Sequence, residues 1–149
     1  MENLSLHILD IAENSIRAGA KKIEVQITED TEKDLLKVCI CDDGKGMDKQ
    51  EIDNVRDPFY TTKGGKKFGL GLSLLSQASQ QTEGIMTIQS EMGHGTKVIA
   101  TFKPSHPDMK PMGEIFETLA VLITGHPEIR FIYDYKKGTI TQHFDSCNV

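Results

Sequence analysis

The sequence predicts an α+β protein, a two-layer sandwich in which a mixed or antiparallel sheet carries helices on one face. Two observations predict it. Apolar residues recur at helical spacing in three separate segments, and apolar and polar residues alternate with period two in several short runs between and after them. The length of 149 residues suits a chain with a sizeable core.

Leu4 to Ala18 is the first helix: Leu4, Ile8, Ile11 and Ser15 form its stripe, Ala12 and Ile16 widen it, and Gly19 stops it. Lys22 to Thr28 alternates Ile23, Val25 and Ile27 as a half-buried strand, and Leu36, Val38 and Ile40 repeat the pattern. Asp42-Asp43-Gly44-Lys45-Gly46 breaks it. Asp48 can cap a short helix, with Glu51 as its capping-box partner. Asp57 to Phe68, with Pro58, Gly64 and Gly65, reads as a mobile loop. A second long helix follows from Leu70 to about Gln81. Gly84–Ser90 and Thr96–Phe102 are strands around a turn at Gly93-His94-Gly95. Pro104, Pro107 and Pro111 mark a boundary, which divides the chain into 1–104 and a C-terminal extension, 105–149, of unknown role. The extension holds a helix over Glu114–Thr124, with Ile115, Leu119, Leu122 and Ile123 on one side. A hairpin follows, with strands Ile129–Tyr135 and Thr139–Phe144 around Lys136-Lys137-Gly138.

Composition narrows the classes. Hydrophobic content of 38% and charged content of 26% fit a soluble globular chain. No apolar run reaches membrane-spanning length and the N-terminus lacks the pattern of a signal peptide, so the expectation is a cytoplasmic protein with no membrane partner. The formal net charge of −5 argues against nonspecific nucleic-acid binding, although Lys63, Lys66 and Lys67 form a local basic patch. Cys39 and Cys41 alternate inside an apolar run and read as small core residues rather than metal ligands.

Four features can carry chemistry. His7, Asp10, Asn14 and Arg17 lie on one stripe of the first helix. A solvated polar face has the same spacing. A functional wall would use Asn14 as a hard oxygen ligand for Mg²⁺, Asp10 to orient or deprotonate a water, and Arg17 to fork onto phosphate; His7 reads as structural or surface. Next, Asp42 to Met47 follows an apolar strand, where a carboxylate can accept from an adenine amino group and glycines let backbone approach a base; a plain turn explains the same residues. Third, Gly64-Gly65 and Phe68-Gly69-Leu70-Gly71-Leu72-Ser73 precede and open a helix, where free N–H groups and the dipole favour phosphate. It is not a Walker A loop. Last, the Thr96 hydroxyl after Gly93-His94-Gly95 can hold a water against a base.

Taken together and in this order, the motifs resemble the Bergerat-type (GHKL) ATP-binding domains of histidine kinases, gyrase and the MutL mismatch-repair proteins. Asp10 to Asn14 match the N box, Asp42 to Gly46 the G1 box, Asp57 to Lys63 the F box, Gly69 to Ser73 the G2 box and Gly93 to Thr96 the last motif, over about residues 4 to 104. Glu13 to Ala20 is similar to MutL proteins, whereas the F box and short lid are similar to histidine kinases. The resemblance implies ATP or ADP with Mg²⁺ as cofactors. It assigns Asp42 to adenine, Asn14 to Mg²⁺, Gly69, Leu70 and Gly71 to the phosphates, Thr96 to the base region and Lys63 to a lid. Arg17 falls where histidine kinases often have a phosphate-contacting lysine. Gly44, Gly46, Met47 and Phe59 join the nucleotide-binding set. Asp10 falls where ATPase members and anti-sigma-factor kinases carry a glutamate base, one methylene longer.

Three functions stay open. One is a protein kinase of histidine-kinase-like or anti-sigma-like type, acting on a partner protein. No histidine here is followed by an acidic residue, as a phosphoacceptor helix usually requires, so the acceptor would lie on another chain. The others are a slow ATPase switch and a non-catalytic ATP-binding module. The partner and a homodimeric state are left open by the residues.

Overall fold

The computed structural model describes residues 3–55, 70–109 and 111–148. Helix α1 (Leu4–Arg17) buries Leu4, Ile8, Ile11, Ala12 and Ser15 along one stripe. Its cap was not evident from periodicity: the Asn3 side-chain oxygen accepts from the backbone N–H of Leu6 at 3.1 Å. The N–H groups of Leu4 and Ser5 donate to the carbonyls of Pro111 and Met112 at 2.9 and 2.8 Å. The proline-marked boundary is thus stitched to the first turn of the first helix, where orphan donors need acceptors.

Strands β1 (Lys22–Asp30) and β2 (Leu35–Asp42) form an antiparallel pair. Helix α2 (Lys49–Val55) opens with the expected capping box, Glu51 N–H to Asp48 Oδ1 at 2.8 Å and Asp48 N–H to Glu51 Oε1 at 3.4 Å. Helix α3 (Leu70–Gln81) leads to the antiparallel strands β3 (Met86–Glu91) and β4 (Gly95–Phe102). Pairing in β3 begins at Met86 rather than at Gly84, because the Gly84 N–H is committed to the Ser79 carbonyl at the end of α3 and the Ile85 N–H to the Thr101 hydroxyl. Helix α4 (Ile115–Gly125) precedes the hairpin of β5 (Arg130–Lys137) and β6 (Ile140–Asp145).

One sheet results, in the order β3-β4-β2-β1-β5-β6. It is mixed: β1 and β5 run parallel, Val25 beside Tyr133, and the other neighbours are antiparallel. Alternation sends Ile23, Val25, Ile27, Leu36, Val38, Ile40, Val98, Ala100 and Phe102 to the same face, together with Phe131 and Tyr133 of β5. There they meet Leu4 and Ile8 of α1, Leu75 of α3, and Leu119 and Leu122 of α4 in a continuous core. The α+β sandwich with helices on one face is the observed architecture. The helix of the extension covers its apolar side by packing on α1, and the hairpin extends the sheet beyond β1.

The cysteines differ from expectation. Cys39 is buried and Cys41 half-buried, but both leave β2 on the face opposite the helices, because Leu36, Val38 and Ile40 take the core face. No helix among the described residues is long and apolar enough to cross a membrane.

Candidate functional site

The sheet's edge at the C-terminal end of β2 gathers the polar residues. Asp42 is the last residue of β2 and Thr96 is its register partner on β4, which in turn pairs with Ser90 on β3. All three continue the core-facing alternation, so they line the helix side of the sheet where the apolar residues stop. Asp42 is held from two directions: Ser15 of α1 donates its hydroxyl to Oδ2 at 2.6 Å, and the Gly44 N–H donates to Oδ1 at 2.9 Å. The neighbouring Asp43 turns the other way. Its Oδ1 accepts from the Lys21 and Lys22 N–H groups at 2.7 and 3.0 Å, tying the loop to the start of β1. Burial works against its charge, but these backbone donors outweigh burial and hold its pKa below the ordinary carboxylate value. Two adjacent carboxylates thus have different tasks.

The glycines explain the close packing here. Gly46 has φ +75 and a side chain on it would strike the Glu91 carbonyl; Gly95 has φ +86 and a side chain on it would strike the Asp42 carbonyl. Gly44 leaves 3.0 Å between an added Cβ and Ala18 at the end of α1. The loop docks on the β3–β4 turn by backbone bonds, Gly93 N–H to Lys45 O at 2.7 Å, and on α1 by Lys45 N–H to Ala18 O at 2.9 Å. Ser90 knits the floor: its hydroxyl accepts from the Met47 N–H at 2.8 Å, lies 2.8 Å from the Thr96 hydroxyl and reaches the Gly95 carbonyl at 2.9 Å. Met47 is half-buried against the core.

Helix α1 supplies the adjoining wall. Asp10 is exposed, Asn14 half-buried and Arg17 exposed. Arg17 Nη1 donates to Asn14 Oδ1 at 3.0 Å and lies 3.9 Å from Glu13. That oxygen thus accepts from the cation one turn later on its own helix. His7, on the same stripe, is buried in the sandwich and does not belong to the wall. Leu70 and Gly71 stand in the first turn of α3. Phe59, Lys63 and Gly69, and with them the F box, the lid and the Lys66–Lys67 patch, lie outside the described residues.

The structure thus brings Asp42, Gly44, Gly46, Met47 and Thr96 together in one bonded cluster at the end of the sheet. Ser15 links the Asp10–Asn14–Arg17 helix to it. Sequence reasoning missed Ser15 and Ser90. The signal for both was a hydroxyl on an apolar stripe: Ser15 continues Leu4, Ile8 and Ile11, and Ser90 continues Met86 and Ile88.

Residues 2–106 match the histidine kinase-, DNA gyrase B- and HSP90-like ATPase family. The chain belongs to this family. It is 30% identical over 115 residues to a non-motile and phage-resistance protein of Caulobacter vibrioides, covering 69% of this chain and 13% of that protein. It is also 30% identical over 106 residues to the sensor histidine kinase YxdK of Bacillus subtilis, covering 66% of this chain and 32% of that one. The chain therefore spans a minor part of the length of these relatives. The MutL ATPase domain of Aquifex aeolicus, solved with ADP, shares the fold with a TM-score of 0.57 at 19% identity, over 94% of this chain and 62% of the other. A likeness over so much of the chain takes in most of the C-terminal helix and hairpin as well as the family-matched region.

Proposed function

We propose that this site binds ATP with Mg²⁺ and that the chain is a histidine-kinase-like signalling domain whose phosphoryl acceptor or regulatory target is a partner protein. The observation that carries the nucleotide assignment is Asp42. Its carboxylate is fixed by Ser15 and Gly44 at the rim of the core, in a loop that Gly46 and Gly95 let pack tightly against the β3–β4 turn. A fixed carboxylate is the acceptor that an adenine amino group needs. Gly44, Gly46, Met47 and Thr96 frame the base, with the Ser90–Thr96 hydroxyl pair able to hold a water against it. Asn14 offers Mg²⁺ its amide oxygen and Arg17, once off that oxygen, offers phosphate a two-pronged donor. Bound Mg²⁺ would neutralise phosphate charge. Gly69, Leu70 and Gly71 are assigned to the phosphates, and Phe59 and Lys63 to the closing segment, on family resemblance.

Asp10 favours a second function, a slow ATPase switch. It is an exposed carboxylate one turn before Asn14, at the position where the resemblance has a glutamate base one methylene longer.

Two measurements separate these. ADP and ATP titrations should show that Asp42→Ala loses about 1.5–3 kcal/mol of affinity, the order expected for a hydrogen bond to a charged group, with the fold intact by circular dichroism; unchanged affinity removes the site assignment. ADP release with Mg²⁺ and ATP, compared with Asp10→Asn, then decides turnover. Release that depends on Asp10 identifies the switch. Bound nucleotide without release leaves the phosphoryl for a partner protein or leaves ATP as a ligand, which phosphotransfer assays with candidate partners distinguish.

A further inference from the structure

The face of the sheet opposite the core holds a pair of thiols that the nucleotide site does not use. Cys39 and Cys41 are two residues apart on β2, so both side chains leave the same face. Their sulfurs lie 3.7 Å apart in a thiol hydrogen bond. Cys41 is half-exposed, so a small reagent has access to the pair. The register sets Gln26 and Ile99 on either side of Cys39, and Glu24 and Lys97 on either side of Cys41. Lys37 is the preceding residue of β2 on this face. Glu24 opposes a negative charge, but it is already engaged with Lys22 at 3.3 Å. The hydrogen bond from Cys41 lowers the Cys39 thiol to about 6 against the effect of burial, with Lys97 and Lys37 assisting, while Cys41 as donor is pushed up. The pair gives up one proton easily and shares the other, which is the state in which a thiol is nucleophilic.

We propose that Cys39 and Cys41 are a reversible oxidation site at which a hydroperoxide closes an intrastrand disulfide. The thiolate sulfur attacks a peroxide oxygen and the O–O bond breaks. This leaves a sulfenic acid on one cysteine and releases water or an alcohol. The second thiol's sulfur then displaces the hydroxyl, forming the S–S bond and releasing water. Overall, two thiols and one hydrogen peroxide give one disulfide and two waters; two electrons pass from sulfur to peroxide.

Strand geometry makes the product reducible. A rise of about 3.3 Å per residue separates the two Cα atoms by about 6.6 Å, near the upper limit of about 6.8 Å that a disulfide accepts. Closure therefore pulls β2 inward, and strained disulfides are the labile kind. The pull falls on the residue before Asp42. The proposal stands without any assignment of that residue to nucleotide.

The test uses the full chain with Cys147→Ser, which removes the exposed lone thiol. Native protein is treated with hydrogen peroxide, alkylated, digested with trypsin and weighed. Cleavage after Lys37 and Lys45 isolates Val38–Lys45, which carries both cysteines. The expected result is a peptide lighter by two hydrogens and closed to alkylation, restored by dithiothreitol. Adding Cys41→Ser should abolish that loss. The proposal is overturned if both thiols are still alkylated at a peroxide dose that oxidises Cys147 in the unsubstituted chain. Disulfides found only between chains, or sulfinic and sulfonic products alone, overturn it as well.

Discussion

The corner after β2, where its loop meets the β3–β4 turn, and the hairpin that ends the sheet both combine charged residues with glycine, and they use them in opposite ways. At the corner, Gly46 of the loop and Gly95 of β4 meet backbone atoms that leave no room for a Cβ, and Asp42 is held by Ser15 and Gly44. In the hairpin, Gly138 has φ +59 and nothing within 4 Å of an added Cβ. Its charged groups are tied to neighbours: Arg130 forks onto Asp145 at 3.1 and 2.5 Å, Lys137 meets Glu29 of β1 at 3.0 Å, and the His143 ring nitrogen lies 2.5 Å from Asp134. Paired charges make structure, whereas the positioned Asp42 carboxylate is the one on which the proposed nucleotide site rests. Similar residue types become a site only where the fold holds them in a shape they could not adopt alone.

The comparison can be broken first at the core they share. Phe131 is 3% exposed and packs under the same helices as β1. Phe131→Ala should cost about 3–5 kcal/mol in urea unfolding, the usual range for emptying a buried aromatic site. A loss below about 1 kcal/mol would mean that the extension is a separable appendage. Next come the glycines. Gly95→Ala should lose about 3 kcal/mol or more through strain and a clash with backbone, against about 1 kcal/mol for Gly138→Ala, which meets only the left-handed penalty. Equal losses would erase the distinction between the regions.

Ser15→Ala sharpens it at the site. It removes one of the two donors to Asp42, and nucleotide affinity in calorimetry should fall by about 1 kcal/mol. No change would show that Gly44 alone orients the carboxylate. The smallest effect concerns acid. Hydrogen bonds from Arg130 and from the Cys147 N–H pull the Asp145 carboxyl from its ordinary value of 3.8 down to about 2. A depressed folded-state pKa gives stability that is present above about pH 4 and lost as pH falls toward 2. Asp145→Asn should therefore flatten the fall in stability between those values, followed by fluorescence or circular dichroism. An unchanged slope assigns the acid sensitivity elsewhere.

Much of this was legible before the structure. Alternation at Ile23–Val25–Ile27 and Leu36–Val38–Ile40 identified both central strands, because a half-buried sheet imposes period two on the chain itself. Asp42, Gly44, Gly46 and Thr96 were singled out by the order of their motifs and the family resemblance that order carries, since each motif alone reads equally as a plain turn. What escaped were contacts between distant segments. Ser15 meets Asp42 across a helix–strand interface, and nothing local distinguishes that hydroxyl from one that back-bonds within its helix. The parallel pairing of Lys22–Glu29 with Arg130–Lys137 leaves no mark in either strand. The two cysteines were expected in the core, since in an unbroken apolar run alternation alone does not tell which face receives the helices.

That parallel pairing has a consequence for how the molecule is made. Strand β1 is interior in the finished sheet, yet its outer neighbour β5 is synthesised only after β2, β3 and β4. While the chain grows, β2 and β4 can assemble on one side of β1, but its other side presents unsatisfied amides and carbonyls until Arg130–Lys137 emerge. Such an open strand invites wrong partners, and late closure between remote segments is slow. The nascent protein therefore passes through an interval in which Asp42 and its glycines can already be in place while the sheet behind them is unfinished, and it is in this interval that a chaperone or a premature stop would have its greatest effect.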